Sequence, residues 1–450
     1  MHASEIPNPD TERLYWAPDR IDTYRLERLR ESISRARNSA FYGPRLADVR
    51  LESIDDVARL PKTTKDDVRK ASPLGLLAIP PDELVQYHES FGTTGTPAAS
   101  WLSAADLDNY ASQINQAAVD FRPGDRVLVR FPYAISVPAH IVTHAARGRG
   151  ACVIPASSRT AITPYPRVID LLTKLEATVI GCLPMEAVWL ALAARAMGRE
   201  PARDFPQLRA ICTAGEMLSD ARRRRIAELW NVEVYNMYGC TEGGNIAAAC
   251  SAGRLHLAWD HFLLEVLDEQ SGEPVEADEL GTAALTTLSR QAMPLVRYLL
   301  GDYLRLLPGF HCTCGRTAPV VEHFGRDLNR FQFAGRHFFV RDLEERLLAA
   351  PVEAIGNLWL VDVRPEAVHF RFESDRPDAS LFNSLQQQLG DELGLPLRLD
   401  PVATGNLLDR SRLMRVEPVR KPRVVSYSDS GESAPKTLDE LMSAPAGVER

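Results

Sequence analysis

From Ile21 to Ala40, apolar residues recur at helical spacing (Ile21, Leu26, Leu29, Ile33) among arginines and glutamates, which predicts an amphipathic surface helix. Short apolar runs follow: DRVLVRF (125–131), GACVIP (150–155), ATVIGCLP (177–184) and LRAICTAG (208–215). Each predicts a buried strand, and helical patterns over 165–176, 184–198 and 219–230 separate them. Strand alternating with helix predicts an α/β fold with a largely parallel, helix-covered sheet.

After Tyr235 the pattern changes. FLLEVLDEQSGEPV (262–275), with a Ser-Gly turn, and GTAALTTLS (281–289) read as antiparallel strands of a β-rich subdomain. From Phe331 onward, FQFAGRHFFV, the helical RDLEERLLAA, the strands LWLVDVRP and AVHFRFES, and the helical SLFNSLQQQLGDELG predict a small α+β lobe. The expected division is a body over 1–326, a hinge at 327–329, the lobe over 330–425 and a disordered polar tail over 426–450.

Length and composition narrow the function. A chain of 450 residues, 45% hydrophobic, can bury more than one core. Its net charge of −8 offers no global field for nucleic acid or an anionic membrane, so small molecules or proteins are the expected partners. No basic-plus-apolar leader and no run of about 18 apolar residues is present, so neither export nor a spanning helix is expected. Seven cysteines are too sparse for a disulfide framework, which points to a cytoplasmic setting.

Three stretches carry candidate chemistry. In SFGTTGTP (90–97), glycines let backbone amides converge, and the hydroxyls of Ser90, Thr93, Thr94 and Thr96 add donors suited to phosphate oxygens. A plain flexible turn would read the same, and the lysine of a GxxxxGK[ST] loop is missing. YNMYGCTEGGN (235–245) offers a tyrosine face for a base, a threonine hydroxyl and a glutamate able to hold Mg²⁺; a glycine-rich turn is the plainer alternative. In RYLLGDY (297–303), Asp302 has the chemistry to accept hydrogen bonds from ribose hydroxyls, although Gly-Asp is also a common turn pair.

Together with YWAP, LPKTTKDDVR (60–69), AGE (214–216), LHLAWDHFLLEV (255–266), AMPLVRYLLGD (292–302), LLPGFHCTCGRT (306–317) and GR (325–326), these stretches resemble the phenylacetate–coenzyme A ligase family over nearly all of residues 10–345. That family is a branch of the adenylate-forming enzymes. The resemblance implies a large adenylating body with a small mobile C-terminal lobe, and activation of a carboxylic acid by ATP and Mg²⁺ before transfer to coenzyme A. Ser90, Thr93, Thr94 and Gly95 would hold the ATP phosphates. Ala214, Gly215 and Glu216 would line the adenine site, with Tyr238 against the base and Gly239 beside it. Thr241 would contact the α-phosphate, Glu242 the Mg²⁺, and Asp302 with Arg326 the ribose. Lys421, before PRVV, is the candidate for the catalytic lysine that the lobe contributes, with a solvated surface lysine in a basic run as the alternative. Homodimerisation is a further expectation from the resemblance.

Several positions depart from the family's pattern. Leu328 and Asn329 replace an acidic pair after GR, Ala334 stands where an arginine is usual, Thr96 replaces a lysine and Leu300 a threonine. The altered hinge leaves open transfer to an amine or a carrier-protein thiol. The changes at Thr96 and Leu300 leave open a non-catalytic nucleotide-binding protein. Tyr133, Ile135, Val137, Pro138 and His140 are candidate walls of the acyl pocket, with ordinary core packing as the alternative.

Cys250, His256, Cys312 and Cys314 form two pairs of soft ligands that would suit a structural zinc; His311 is a competing ligand, and buried free cysteines are the alternative. The RRRR run at 222–225, in a helix with acidic neighbours, is expected to be a solvated face.

Overall fold

The computed structural model describes residues 8–90, 97–415, 424–428 and 437–438. Strands β1 (Leu84–Glu89) and β2 (Ala99–Ser103) pair antiparallel on either side of the glycine-rich stretch. An eleven-stranded sheet follows, and its strands in chain order are β3 (Arg126–Val129), β4 (Cys152–Pro155), β5 (Val179–Cys182), β6 (Ala210–Ala214), β7 (Glu233–Cys240), β8 (Gly244–Ala249), β9 (Leu255–Leu257), β10 (Phe262–Leu267), β11 (Leu280–Thr287), β12 (Tyr298–Leu307) and β13 (Val320–Gly325). Their spatial order is β10-β11-β12-β13-β9-β8-β7-β6-β5-β3-β4.

The half containing β4, β3, β5, β6 and β7 is parallel, and helices connect its strands. Its inner strands β3, β5 and β6 are buried on both faces, whereas the edge strand β4 is partly exposed, and the two-residue period sorts the side chains. Val127, Val129, Val179, Ala210 and Cys212 join one core with the helices Ala104–Asn115 and Val137–Gly148. Leu128, Ile180 and Ile211 join the other, with the helices Tyr165–Lys174, Pro184–Ala196 and Asp220–Trp230.

Beyond β7 the pairing turns antiparallel, yet the β-rich portion continues the same sheet through β7–β8 and β9–β13. The helix Pro18–Ala36 covers it with Ile21, Leu29 and Ile33. The Ser271-Gly272 turn forms, with the Gly272 amide donating to Asp268 O at 2.9 Å. The main partner of β10 is nevertheless β11, because the segment after the turn supplies only the Leu267–Pro274 bridge.

After a short turn at Asp327–Asn329, strands β14 (Arg330–Phe333) and β15 (Arg336–Phe339) form a hairpin. Both residues of its tip, Ala334 and Gly335, have positive φ, 48° and 76°. That backbone follows the right-handed twist of a two-residue hairpin, at a steric cost for the alanine. The helices Val340–Leu347 and Ala379–Leu393 accompany a four-stranded sheet made of β16 (Trp359–Val363), β17 (Val368–Ser374), β18 (Leu397–Ala403) and β19 (Val425–Tyr427).

Two expectations need correction. The tail does not begin at 426: β19 runs parallel to β16 through Tyr427, and Leu438 is buried, its amide donating to Leu407 O at 3.0 Å. Nor is the RRRR run simply solvated. Arg222 and Arg225 are buried, because the helix Asp220–Trp230 turns them onto the segment 344–357.

Candidate active site

The carboxyl ends of β6 and β7 open into a cavity of about 550 Å³, a size suited to small ligands. Ala214, Gly215 and Glu216 follow β6, and Glu216 Oε2 accepts from the Met185 amide at 3.2 Å. Tyr238 and Gly239 come from β7, and Thr241 and Glu242 from the turn beyond it. The glycine is required there: a Cβ on Gly239 would lie 2.0 Å from Gly244 O. Ser90, at the end of β1, completes this side and accepts from the Ala98 amide through Oγ at 2.9 Å.

Asp302 reaches the same cavity from a bulge in β12. The four steps from Leu299 to Tyr303 face only two steps of β11, Ala284 to Thr282, and the bulge re-aims the side chain. Gly301, at φ 71°, allows that path. Arg326 Nε donates to Asp302 Oδ1 at 2.9 Å, the Tyr238 hydroxyl donates to Oδ2 at 3.1 Å, and His323 Nε2 lies 3.5 Å from Oδ1. Burial would raise the Asp302 carboxyl, but the Arg326 guanidinium and neighbouring His323 outweigh it and hold the group well below the usual carboxylate range. Conversely, burial and Asp302 push the Tyr238 hydroxyl up, so it stays a donor. The rings of Tyr238 and His323 lie 4.6 Å apart at an interplanar angle of 38°, placing two aromatic faces beside the carboxylate.

Glu242 is 5% exposed with the Tyr298 hydroxyl beside its carboxyl group, and among the described residues its buried Oε1 makes no well-formed hydrogen bond. A buried carboxylate oxygen left in this state is costly. A hard cation would satisfy it, so the donor chemistry fits Mg²⁺.

The opposite side is apolar, with Phe131, Val137, Pro138, Ile141, Val142 and Met185 on the wall. The expected wall residues Tyr133, Ile135 and His140 are not part of it. The helix Val137–Gly148 turns Val137, Ile141 and Val142 inward, whereas His140 Nε2 pairs with Tyr133 O at 2.9 Å and the Tyr133 hydroxyl with Thr143 Oγ1 at 2.7 Å. Ile135, at φ 56°, is 47% exposed. Sequence reading also missed Lys65, Arg159, Arg222, His323, Glu344 and Trp359, all at the cavity. His323 was within reach, since it lies two residues before Gly325 on a β-patterned stretch. Glu344 and Trp359 had no local signal. Thr93, Thr94, Gly95 and Lys421 lie outside the described residues.

Away from the cavity, Cys250, His256, Cys312 and Cys314 come together with their ligand atoms within 4.8 Å of one another. His256 Nδ1 is engaged by Ala318 O at 2.6 Å, which leaves Nε2 facing the thiols. The Cys250 and Cys312 sulfurs are 3.7 Å apart, and Cys314 Sγ lies 3.4 Å from His256 Nε2. Tetrahedral zinc bonds would set these edges at roughly 3.8 and 3.6 Å, so the donor set fits the ion.

A crevice at the carboxyl ends of parallel strands that joins a buried carboxylate pair, a hydroxyl and an apolar wall is the usual place for a small-molecule site in such a sheet. The chain belongs to the AMP-binding enzyme family, whose match spans residues 43–285. It is 32% identical to the phenylacetate–coenzyme A ligase of Thermus thermophilus over 308 residues, 66% of this chain and 67% of that one. To the ligase of the same name from Pseudomonas putida it is 28% identical over 414 residues, 86% and 92% of the two chains. In shape it matches 2-hydroxyisobutyryl-CoA ligase in the postadenylation state with a TM-score of 0.80, at 21% identity and over 92% and 91% of the chains. Against the same ligase in its thioesterification state, at 22% identity and the same coverage, the TM-score is 0.65. Among the described residues no helix is long and apolar enough to cross a membrane.

Proposed function

We propose that this chain uses ATP and Mg²⁺ to convert a compact, aromatic-type carboxylic acid to its acyl-AMP and then passes the acyl group to coenzyme A. The observation that carries the reading is the single cavity in which the Asp302–Arg326 pair, Thr241, Glu242 and the apolar wall meet. In the first step a carboxylate oxygen of the acid attacks the α-phosphorus, and pyrophosphate leaves with the bonding electrons. In the second, a thiol sulfur attacks the acyl carbon, the bond from that carbon to the phosphate oxygen breaks with its electrons leaving on AMP, and the thiol proton is released to water. The nucleophile of the first step is already ionised at neutral pH, so the site needs alignment and charge neutralisation rather than a strong base.

In this reading Asp302 and Arg326 hold the ribose, Tyr238 and Ala214–Glu216 border the adenine, and Ser90, Thr93, Thr94, Gly95 and Thr241 face the phosphates. Glu242 would hold Mg²⁺, which supplies positive charge against the phosphate oxygens. Lys421 is the proposed lobe cation; the support is that Val424, three residues later, is at the cavity wall. Phe131, Val137, Ile141 and Met185 hold the apolar part of the acid and keep water away from the acyl-AMP. Zinc at Cys250, His256, Cys312 and Cys314 would staple β8, β9 and the loop after β12 and take no part in catalysis, since four protein ligands leave no open position.

Pyrophosphate release from ATP across a panel of carboxylic acids tests the reading. Release is expected to depend on Mg²⁺ and on one class of acid. Release that is indifferent to every acid would contradict it.

A further inference from the structure

Three of the four arginines of the helix Asp220–Trp230, Arg222, Arg224 and Arg225, bond to elements of the small lobe, whereas Arg223 pairs with Asp220 of its own helix. Arg222 is 4% exposed; its Nε donates to Glu344 Oε1 at 2.5 Å and its Nη1 to Asn357 O at 2.9 Å. Its guanidinium also lies 5.6 Å from the Trp359 ring. Arg225, 5% exposed, spends its whole fork on main-chain carbonyls: Leu348 at 2.9 Å, Ile355 at 3.0 Å and Ala350 at 2.5 Å. Leu348 caps the helix Val340–Leu347, whose last carbonyls have no partner within the helix, and a cation is favoured at that end. Arg224 pairs with Glu345 Oε1 at 3.1 Å, and Glu345 Oε2 accepts from the Ala221 amide at 3.0 Å.

Three features of these contacts bear on the reaction. They link the parallel half of the body to elements that follow the turn at Asp327–Asn329. They include buried, charge-assisted bonds that a planar five-donor fork makes and an ammonium does not. Those of Arg222 also reach the active site: Arg222, Glu344 and Trp359 border the cavity, as does Val424, whereas Arg224 and Arg225 do not. The chain as a whole lies nearer in shape to the postadenylation form than to the thioesterification form of the ligase compared above, with TM-scores of 0.80 and 0.65.

We infer that Arg222 and Arg225 are positioning residues for the first half-reaction: they clamp the helix Val340–Leu347 and the 348–357 loop to the body and so seat the lobe's Val424 edge at the cavity while acyl-AMP forms. The inference rests on the two-step reading above. Neither arginine exchanges a proton or electron with substrate. Transfer from acyl-AMP to a thiol does not depend on this clamp.

The test uses Arg225→Ala, with Glu345→Ala as a milder second variant that removes only the Arg224 and Ala221 contacts. Three measurements are made on the full chain: pyrophosphate release without thiol, consumption of supplied acyl-AMP with coenzyme A, and hydrogen exchange of amides 340–358. For Arg225→Ala, the loss of three buried charge-assisted bonds predicts acyl-AMP formation slower by about tenfold or more, with transfer within about twofold of wild type. Exchange over 340–358 accelerates while that of β5 and β6 is unchanged. Glu345→Ala moves the same readouts in the same direction by less. Equal loss of both half-reactions, loss of transfer alone, or unchanged exchange over 340–358 would each overturn the inference. A wild-type chain inert with every acid fails the functional reading instead, and the exchange readout still decides whether the clamp exists.

Discussion

Arg326 Nε donates to Asp302 Oδ1 at 2.9 Å, tying the residue at the end of β13 to the bulge in β12. Asp302 is 3% exposed, so removing its partner leaves a buried charge with weaker compensation. Arg326→Ala is expected to weaken ATP binding by about tenfold or more, measured by calorimetry, because the carboxylate loses its orientation. A stability effect follows with a defined sign. The depressed Asp302 carboxyl stabilises the fold above its unfolded value of about 4, and that contribution is lost as pH falls through the lower folded value. The stability difference between wild type and Arg326→Ala therefore shrinks on the acid side.

The pocket wall offers a second prediction. Ile141 borders the cavity and Tyr133 does not. Ile141→Phe is expected to raise KM for the acid by about tenfold through lost volume while KM for ATP stays the same. Tyr133→Phe leaves both unchanged. Steady-state kinetics on the preferred acid check this, and an equal effect of the two variants would refute the assignment.

His88 gives a pH dependence. It is 3% exposed, and burial, then the neighbouring His140 ring at 5.0 Å, pull it down to about 4. Above about pH 6.5 it is neutral in both folded and unfolded chains. As pH falls from there toward about 4 the unfolded chain binds the proton first, so stability drops over that window. Thermal melts of His88→Gln are expected to fall less steeply across this range than wild type.

For the cysteine cluster, metal analysis of purified protein is expected to find about one zinc per chain. Cys312→Ser should lose most of it and melt at lower temperature, since the staple between β9 and the loop after β12 is gone. Wild type without zinc, or a variant as stable as wild type, would remove the metal from the account.

Much of the parallel half was legible because short, doubly buried strands carry continuous apolar runs. The run at 179–182, for example, is buried on both faces. The cavity's Gly239, Glu242 and Asp302 were legible through the ordered motifs that carry the family resemblance, each of which alone also reads as an ordinary turn. What sequence could not supply was direction and distance. Nothing at 133–140 says which side of the helix start faces inward, so His140 and Val137 looked equivalent. The RRRR run looked solvated because the partner of Arg222, Glu344, lies 122 residues away. Tyr427 looked like tail because a three-residue strand has almost no pattern of its own, and β16 recruits it by parallel pairing.

The central claim is tested most directly by incubating the chain with ATP, Mg²⁺ and a panel of carboxylic acids, first without and then with coenzyme A, and identifying products by mass spectrometry. The account predicts an acyl-AMP from an aromatic-type acid in the first mixture, its conversion to acyl-coenzyme A in the second, and loss of both products in Glu242→Gln. An absence of acyl-AMP with every acid, or an acyl-AMP that coenzyme A does not consume, would contradict it.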